Sequence, residues 1–499
     1  MEGSGTVKRI VLLLACAQAA VAAEVGGFSV SWNGRPLKVH PARVSAYPMN
    51  QVWAGYQRPI EQTRMASFIS FDMDGAGELA VAIPEGQTNA TPILLPLSRN
   101  WSTRTEGGKF RIAIDHPQQF VLKFGIEGEE LQVFANPRFA RPEGKQITYF
   151  GPGEHHVGLI APASGETIVI DEGAVVYGAI QIFHAENVKV VGRGILDASF
   201  LQRAQTNSAA YANAVRAGFT PSQYGAEMGV TAFTCAWATN ILVEGITIRD
   251  PPRWTMIVRT QSKRVTIDNV KIVGCWRYNA DGINVCASED VAIRNCYLRT
   301  FDDCIIARGS YLDKSGPVTR NLLAENCVLW CDWGKCLEVW AGGRPCTIEE
   351  VSFRNIACIS PDEIVADVTT WYASSNTVIR NICFENIAVD YWRKYPAAHF
   401  QRAPGDTIFH GKLRDASNLI VVDVASYGHD LGNQKYRPAE DLSPFKVLYE
   451  NLTFKNFTVH GNPPRLTGRI DGSSAPHTIR SVRLEGMPEG LDLKMSGVD

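Results

Sequence analysis

Three of the carboxylates in one stretch of this chain, residues 278–309, could act together in catalysis. Asn279 and Asp281 come first, and the adjacent pair Asp302 and Asp303 follows. Acids in such a group can divide the work: one that keeps its proton donates it to a leaving oxygen, and one that is ionised activates water. Crowding of like charges raises the pKa of one carboxyl and so separates the two roles. The chemistry that these residues predict is hydrolysis of a glycosidic bond. An ordinary Asp-Gly turn and a solvated Asp pair are the alternative.

A repeated pattern of short strands surrounds these acids and must position them. In each copy an apolar–x–apolar stretch leads to an Asn or Gly, and another apolar residue usually follows. Successive copies lie 24 to 31 residues apart through the middle of the chain, at Gly245, Asn269, Asn295, Asn326, Asn355 and Asn386, with later copies at Asn456 and Gly486. This period, with several short strands per repeat, predicts a parallel β-helix with one coil per repeat. Asn suits a turn in which its amide bonds to the Asn of the next coil. A β-sandwich with coincidental spacing is the alternative.

Residues at similar distances past each Asn or Gly form a column, because stacked coils lie about 4.8 Å apart. The column is polar and aromatic, and its members are Arg253, Trp254, Asn279, Asp281, Asp302, Asp303, Trp333, Lys335, Asp362, Glu363 and Arg393. Acids flanked by aromatic side chains are typical of a groove that binds carbohydrate. The candidate catalytic residues are Asp281, Asp302 and Asp303. The candidate substrate-binding residues are Asn279, Arg308, Trp333, Lys335, Glu338, Trp254 and Trp371, with Trp276, Trp340 and Arg344 as further candidates. Each tryptophan is equally well explained as a core residue.

The sequence divides into two domains after a leader. Residues 24–145 contain short alternating strands separated by turn residues, which predicts an N-terminal β-sandwich domain. Residues 146–499 carry the repeat and are predicted to form the β-helix catalytic domain. The repeat is interrupted at 201–229, where we expect a long loop or short helices that form a wall of the groove. A second interruption, at 390–444, has no assigned role.

Residues 1–23 have the features of a signal peptide. Lys8 and Arg9 precede a short apolar run, and the small residues at 20–23 suit cleavage. A membrane anchor is the alternative, but the run is short for a span. We therefore expect a secreted or periplasmic protein without a membrane span.

Composition narrows the classes of function. A formal net charge of −2 argues against a nucleic-acid-binding protein that works by bulk charge. The 12 cysteines form no paired C-x-x-C framework, so we expect no metal site and no cofactor. Most of them are expected to lie in the core as small apolar residues, with one or two disulfides still possible in an oxidising compartment.

The residues around the acids resemble a known family. Asn279-x-Asp281-Gly282, followed by Asp302 and Asp303, resembles the N-T-D-G and D-D motifs of the polygalacturonase family, glycoside hydrolase family 28. The sandwich and the Tyr-Phe-Gly-Pro-Gly at 149–153 resemble the layout of the dextranase and isopullulanase family, glycoside hydrolase family 49. The resemblance implies an all-β fold with a right-handed parallel β-helix, and hydrolysis with inversion. Asp302 would be the general acid, and Asp281 and Asp303 would hold or activate the water.

Two motifs of family 28 are not matched. Where polygalacturonases have Gly-His-Gly, this chain has Trp333, Gly334 and Lys335. Their Arg-Ile-Lys motif, which grips the galacturonate carboxylate, has no clear counterpart. We therefore expect a poly- or oligosaccharide substrate, and a neutral glycan fits at least as well as pectin. Two other interpretations stay open: a calcium-dependent polysaccharide lyase with Lys335 or Arg308 as the base, and a non-catalytic glycan-binding β-helix. The sequence does not define the sugar, the linkage, endo or exo cleavage, or the oligomeric state.

Overall fold

The structure is a computed structural model. It describes residues 27–46, 59–126, 128–222, 225–309, 317–342, 345–362, 364–371, 376–393, 416–424, 430–431, 434–435, 447–473 and 478–499. The predicted signal peptide at 1–23 and most of the interruption at 390–444 lie outside these ranges. Within the described ranges, no helix is long and apolar enough to cross a membrane.

Ten strands form the first part of the chain, here called the N-terminal sandwich (residues 27–137). They are β1 (Val30–Trp32), β2 (Arg35–Leu37), β3 (His40–Ser45), β4 (Thr63–Met73), β5 (Gly77–Ala82), β6 (Pro92–Leu95), β7 (Thr103–Glu106), β8 (Lys109–Ile114), β9 (Gln118–Phe124) and β10 (Glu130–Pro137). One sheet has the order β2-β1-β5-β8-β7, and the other has the order β3-β4-β10-β9-β6. Alternate apolar residues of both sheets, such as Trp32, Phe71 and Ile112, meet in one core. This arrangement is the β-sandwich that the alternation predicts.

The remaining long sheet contains 27 strands. They are β11 (Ile147–Phe150), β12 (Gly153–Ile160), β13 (Thr167–Ile170), β14 (Ala174–Phe183), β15 (Lys189–Gly192), β16 (Ile195–Asp197), β17 (Phe233–Ala236), β18 (Thr239–Glu244), β19 (Thr247–Arg249), β20 (Met256–Arg259), β21 (Lys263–Asp268), β22 (Lys271–Val273), β23 (Ile283–Cys286), β24 (Glu289–Arg294), β25 (Tyr297–Thr300), β26 (Ile305–Arg308), β27 (Val318–Glu325), β28 (Val328–Cys331), β29 (Lys335–Gly342), β30 (Thr347–Ser360), β31 (Ile364–Trp371), β32 (Thr377–Tyr391), β33 (Ala416–Val424), β36 (Val447–Gly461), β37 (Arg465–Asp471), β38 (Ile479–Glu485) and β39 (Asp492–Ser496). Two short strands, β34 (Asp430–Leu431) and β35 (Gln434–Lys435), pair only with each other.

Except at the two ends of the long sheet, its strands pair in parallel with strands of the coils before and after them. For example, β23 pairs with β20 on one side and with β26 on the other. Successive side chains point alternately into the coil and out of it. Ile283 and Val285 accordingly join the apolar interior, and Asn284 between them faces outward. The prediction of a parallel β-helix is confirmed.

The Asn and Gly positions of the repeat adopt the turn conformation that the sequence predicts. The backbone is left-handed at all of these positions. The φ angles lie between 52° and 58° at Asn269, Asn295, Asn326, Asn355, Asn386 and Asn456, and they are 79° at Gly245 and 60° at Gly486. Amide side chains of successive coils are linked, since Asn355 Nδ2 donates to Asn326 Oδ1 at 3.2 Å and Asn386 Nδ2 donates to Asn355 Oδ1 at 2.9 Å. Asn tolerates this backbone conformation better than most residues, and its amide satisfies the next turn.

Most of the cysteines line the interior of the coils. Ten of the eleven in the described residues are buried, Cys383 is half-buried, and all eleven are free thiols. Among the described residues the predicted role as small core residues is therefore confirmed, and none of them forms a disulfide.

Buried charges and an apolar cluster join the N-terminal sandwich to the β-helix. Glu130 of β10 has no exposed surface and pairs with Arg299 of β25 and with Arg64 of β4, the latter at 2.7 Å. Asn136 of β10 accepts hydrogen bonds from Asn269 and from Lys271. The apolar residues that meet around these contacts are Ala42, Phe68, Leu95, Val121, Phe134, Ile195, Val273, Tyr297, Val328, Trp330 and Ile359. Because a buried charge without a partner is costly, these pairs hold the two parts in one arrangement.

The interruption at 201–229 is helical, as one of the two sequence expectations has it. It contains α1 (Ala209–Arg216) and a turn of 3-10 helix (Ala226–Gly229). The side chain of Ser208 caps α1 by accepting a hydrogen bond from Tyr211 N. A second 3-10 turn, Ile60–Gln62, precedes β4 in the N-terminal sandwich.

Candidate active site

The three acids lie at the starts of two strands in successive coils. Asp281 stands two residues before β23, and Asp303 stands two residues before β26, whose first residues, Ile283 and Ile305, pair. The backbone confirms the alignment, since Gly282 N donates to Asp303 O at 2.8 Å and Cys304 N donates to Lys335 O at 2.8 Å. Asp281, Asp303 and Lys335 therefore stand one above another, as the sequence predicts for the column.

Asp302 and Asp303 lie in the bend between β25 and β26; adjacent residues of a regular strand face opposite sides, and the bend lets both carboxylates face one side. Asp302 Oδ1 accepts a hydrogen bond from Asp303 N at 3.1 Å, and Asp302 Oδ2 accepts one from Asn279 Nδ2 at 3.1 Å. Asn279 is oriented in turn by Arg203, whose Nη1 donates to Asn279 Oδ1 at 2.8 Å. Asp302 is the most exposed of the three acids, because it is half-buried whereas Asp281 and Asp303 are buried.

Gly334 leaves room for the Asp pair. A β-carbon at this position would lie 2.5 Å from Asp302 Oδ1 and 2.5 Å from Asp303 Oδ1. The following peptide uses this close approach, since Lys335 N donates to Asp303 Oδ1 at 2.8 Å. The glycine therefore fixes both carboxylates against the backbone of the next coil.

Arg308 of β26 is the cation at the centre of the acids. Its Nη2 atom lies 3.5 Å from Asp281 Oδ2, 3.6 Å from Asp303 Oδ2 and 3.5 Å from Glu338 Oε2. Its Nε donates to Asn284 Oδ1 at 2.7 Å, so one edge of the guanidinium is held by a neutral amide. The rings of Trp254 and Trp340 lie 4.5 and 4.9 Å from it. A cation placed against two aromatic rings is held rigidly and is poorly accessible to solvent.

Lys335 is buried in an ionic cluster with two acids. Its ammonium contacts Glu338 Oε1 and lies 3.2 Å from Asp367 Oδ2, and its side chain is only 5% exposed. Burial alone would raise the pKa of Glu338, but Lys335 and Arg308 outweigh burial and lower it. Glu338 is therefore ionised at neutral pH.

The pKa of Asp281 is raised well above its ordinary value. Burial is the largest cause, and the charge of Asp302 adds to it, whereas Arg308 opposes the rise. The Oδ1 atom of Asp281 is buried without a hydrogen-bond partner in the described part of the chain. This carboxyl therefore has an oxygen available for a water or a substrate group.

The pKa of Asp303 is also raised well above its ordinary value. Burial is again the largest cause, followed by the charges of Glu338 and Asp302, and Lys335 opposes the rise. Acids this close titrate as a group, so the set retains a proton at a pH at which an isolated Asp has lost it. A retained proton beside an ionised carboxylate is what acid–base cleavage of a glycosidic bond requires.

The structure brings most of the predicted residues together and separates a few. Asn279, Arg308, Lys335, Glu338 and Trp254 all contact the acids or each other, as described above. Trp333 is 8% exposed and stacks on Phe301 in the interior, and the Trp276 indole donates to Asp250 Oδ1 at 2.8 Å. The side chain of Trp371 and all of Arg344 and Glu363 lie outside the described residues.

Sequence reasoning missed three residues of the site: Asn284, Asp367 and Arg203. Asn284 and Asp367 occupy outward positions in register with Glu338, since Asn284 pairs with Ile306, Ile306 with Glu338, and Glu338 with Asp367. Polar residues at alternate positions of otherwise apolar strands were the available signal. Arg203 belongs to the interruption at 201–229, where no repeat is present that would place it near the acids.

No group of three or more His, Cys, Asp or Glu side chains in the described ranges is arranged to hold a metal ion. The acids of the site contact Arg308 and Lys335 instead.

The sequence of this region matches one protein family. Residues 181–398 match the profile of Glycosyl hydrolases family 28. The match covers somewhat less than half of the chain. This span includes both coils that carry the three acids, together with Arg308, Lys335 and Glu338.

Curated relatives are distant and longer than the matched part. The chain is 24% identical over 273 residues to a dextranase of Arthrobacter sp. (strain CB-8), a match that covers 49% of this chain and 40% of the dextranase. It is 23% identical over 265 residues to a probable polygalacturonase of Arabidopsis thaliana, covering 52% of this chain and 49% of the relative. The matches thus span about two fifths to one half of the length of these relatives.

A solved structure shares the whole fold. Dex49A from Penicillium minioluteum aligns with a TM-score of 0.59 and 15% sequence identity, covering 94% of this chain and 95% of that chain. The N-terminal sandwich and the β-helix therefore occur together in both proteins.

Proposed function

We propose that this protein is a glycoside hydrolase that cleaves O-glycosidic bonds of a poly- or oligosaccharide with inversion. The observation that carries the proposal is the group of three acids on two successive coils, two of which, Asp281 and Asp303, have pKa values raised by burial and by neighbouring carboxylates. Such a group can hold a proton for the leaving oxygen and an ionised carboxylate for the attacking water.

Asp302 is the general acid in this proposal. Its greater exposure supports the role, because the proton must reach an oxygen of the substrate. Asp281 and Asp303 bind and activate the water. Arg308 supports this second role, since its guanidinium lies near both carboxylates and opposes the rise in the pKa of Asp281, as Lys335 opposes the rise in the pKa of Asp303.

A neutral glycan is the proposed substrate class. Arg308 and Lys335, the two cations among the acids, are engaged by carboxylates of the chain itself. A uronate would bring a further negative charge towards Asp281, Asp303, Glu338 and Asp367, which is unfavourable in a buried site. The similarity to dextranases supports the same choice.

The test measures release of reducing ends from dextran and from polygalacturonic acid, with and without chelator. We expect hydrolysis of a neutral polymer that survives the chelator. Asp302→Asn should lower kcat by a factor of about 10² to 10⁴, the usual contribution of a general acid. Asp290→Asn is the matched control, because Asp290 is exposed on β24 and accepts a hydrogen bond from Asn321 Nδ2 at 2.6 Å. The anomer of the first product, read by NMR, tests inversion.

Three outcomes count against the proposal. Full activity of Asp302→Asn with an unchanged melting curve removes this residue as the acid. Preference for polygalacturonic acid removes the neutral substrate. Cleavage that needs calcium and yields a product absorbing in the ultraviolet indicates a lyase.

Export is a separate proposal, supported by the leader sequence at 1–23. Secretion of the full chain, and cytoplasmic retention of a variant with Lys8 and Arg9 replaced by Glu, would test it.

A further inference from the structure

One row of outward-facing positions runs across the coils that carry the acids. The row is fixed by the strand register, and its members are Gln181, Thr234, Ile257, Asn284, Ile306, Glu338 and Asp367. The catalytic coils contribute Asn284 and Ile306. A glycan chain that passed across the acids would lie along this row, partly before Asn284 and partly after Ile306.

The interruption at 201–229 covers the beginning of the row. Gln181 is 1% exposed, because its Nε2 donates to Ala210 O and to Gly229 O, both at 2.9 Å. Its Oε1 accepts a hydrogen bond from Asn213 Nδ2 at 2.9 Å. Residues of α1 and of the 3-10 turn thus bond directly to the outward face of β14.

The covering continues up to the coil that precedes Asp281. Met228 packs in an apolar cluster with Trp254, Ile257 and Cys286, all buried. Since β20 pairs directly with β23, Ile257 lies only one coil, about 4.8 Å, from Asn284.

A second contact fixes the interruption along its length. Arg259 of β20 has no exposed surface; its guanidinium lies 4.3 Å from the ring of Phe219, and its Nη1 donates to Gly225 O at 3.3 Å. Near the amino-terminal end of the interruption, Arg203 Nη1 donates a hydrogen bond to Asn279 Oδ1, and Asn279 Nδ2 donates one to Asp302 Oδ2. The covering is therefore continuous with the site.

We propose that residues 208–222 and 225–229 close the groove on the amino-terminal side of the acids, so that the enzyme binds the end of a glycan chain and releases short products from it. The inference rests on the proposed hydrolase function. A chain interior needs room on both sides of the scissile bond, whereas a chain end needs room on one side only. Met228 and Trp254 form the end wall that limits how many sugars fit beyond the acids.

The experiment follows dextran hydrolysis by the full chain. Reducing ends and viscosity are measured over one time course, and products are sized by chromatography. We expect one short product from the earliest sample and a viscosity that falls slowly as reducing ends appear. A cyclic isomaltooligosaccharide, which has no chain end, should stay intact. A ladder of intermediate sizes at early times, or cleavage of the cyclic sugar, overturns the inference and leaves the hydrolase function standing. Absence of hydrolysis on dextran, polygalacturonic acid and their short oligosaccharides overturns both.

Variants test the end wall itself. Met228→Ala opens space beside Trp254, so a product at least one sugar longer should join the wild-type product. Val215→Ala is the control, because Val215 lies on α1 and is 36% exposed. Both variants should keep their melting temperatures within a few degrees of wild type. An identical product pattern for all three proteins shows that Met228 does not limit the site and overturns the closure.

Discussion

The burial of Lys335 gives it a structural role that its position in the column did not predict. Lys335→Met keeps much of the apolar stem and removes the ammonium that Glu338 and Asp367 share. The two carboxylates are 2% and 0% exposed, so the variant leaves both buried beside fewer positive charges. Removing one partner of a buried ion pair costs about 3–5 kcal/mol of the free energy of unfolding.

An exposed ion pair of the same chemistry provides the control. Lys263 lies 3.1 Å from Glu289, but its side chain is 45% exposed. Because exposed pairs contribute about 0–1 kcal/mol, Lys263→Met should move the denaturant midpoint little. The assay is equilibrium unfolding in urea, with the midpoint and slope compared for wild type and both variants.

The pH dependence of the difference has a defined sign. In the folded protein the pKa of Glu338 is lowered, despite its burial, by Lys335 and Arg308. Glu338 therefore stabilises the fold above its ordinary pKa, and that contribution is lost as the pH falls through the lowered value. The difference in the free energy of unfolding between wild type and Lys335→Met should be largest near neutral pH and should become smaller in acid. Equal midpoints for Lys335→Met and Lys263→Met, with only KM raised in the former, would refute the structural role and support the sequence prediction that Lys335 binds substrate.

Two further predictions concern Gly334 and Asp390. Gly334→Ala places a methyl group against Asp302 and Asp303, so kcat/KM should fall about 100-fold; Gly144→Ala, whose new methyl group meets only one atom at 3.8 Å, should be neutral. Burial raises the pKa of Asp390 to about 7, although the Leu97 N–H donates to it. The fold should therefore lose stability as the pH rises from about 4 to 7, and Asp390→Asn should be more stable than wild type at pH 8.

Simple outcomes contradict these two predictions. Wild-type kinetics in Gly334→Ala would mean that the coil shifts to admit the methyl group without disturbing the acids. Parallel stability–pH curves for wild type and Asp390→Asn would mean that Asp390 titrates in the folded protein as it does in the unfolded chain.

The repeat made the β-helix predictable because each Asn must meet a local requirement. Asn355 and Asn386 adopt a left-handed backbone conformation and bond to each other through their amides. Both requirements favour Asn, so Asn recurs in the sequence at a regular spacing. The same spacing placed Asp281 and Asp303 in one column. The column of acids could therefore be predicted from local patterns alone.

Contacts without such a local requirement could not be predicted. The bend at Asp302 and the glycine at 334 interrupt the alternation of the strands, so strand periodicity alone does not place the Lys335 ammonium against Glu338 and Asp367. Arg299 of the β-helix pairs with Glu130 of the N-terminal sandwich, and no sequence pattern around either residue identifies the other as its partner. The partner of a buried charge is set by tertiary packing.

The N-terminal sandwich also changes how the β-helix can unfold. In a stack of coils each coil touches only its neighbours, so the ends can peel away one coil at a time. Here the N-terminal sandwich is hydrogen-bonded to the side of the stack at three levels: Asp72 contacts Arg193, Glu130 contacts Arg299, and Leu97 N donates to Asp390. It acts as a splint, because no coil between these points can open unless the sandwich detaches or bends with it. The sandwich and the coils bonded to it are therefore expected to unfold as one unit, whereas the coils of β38 and β39, which lie beyond these bonds, can open separately.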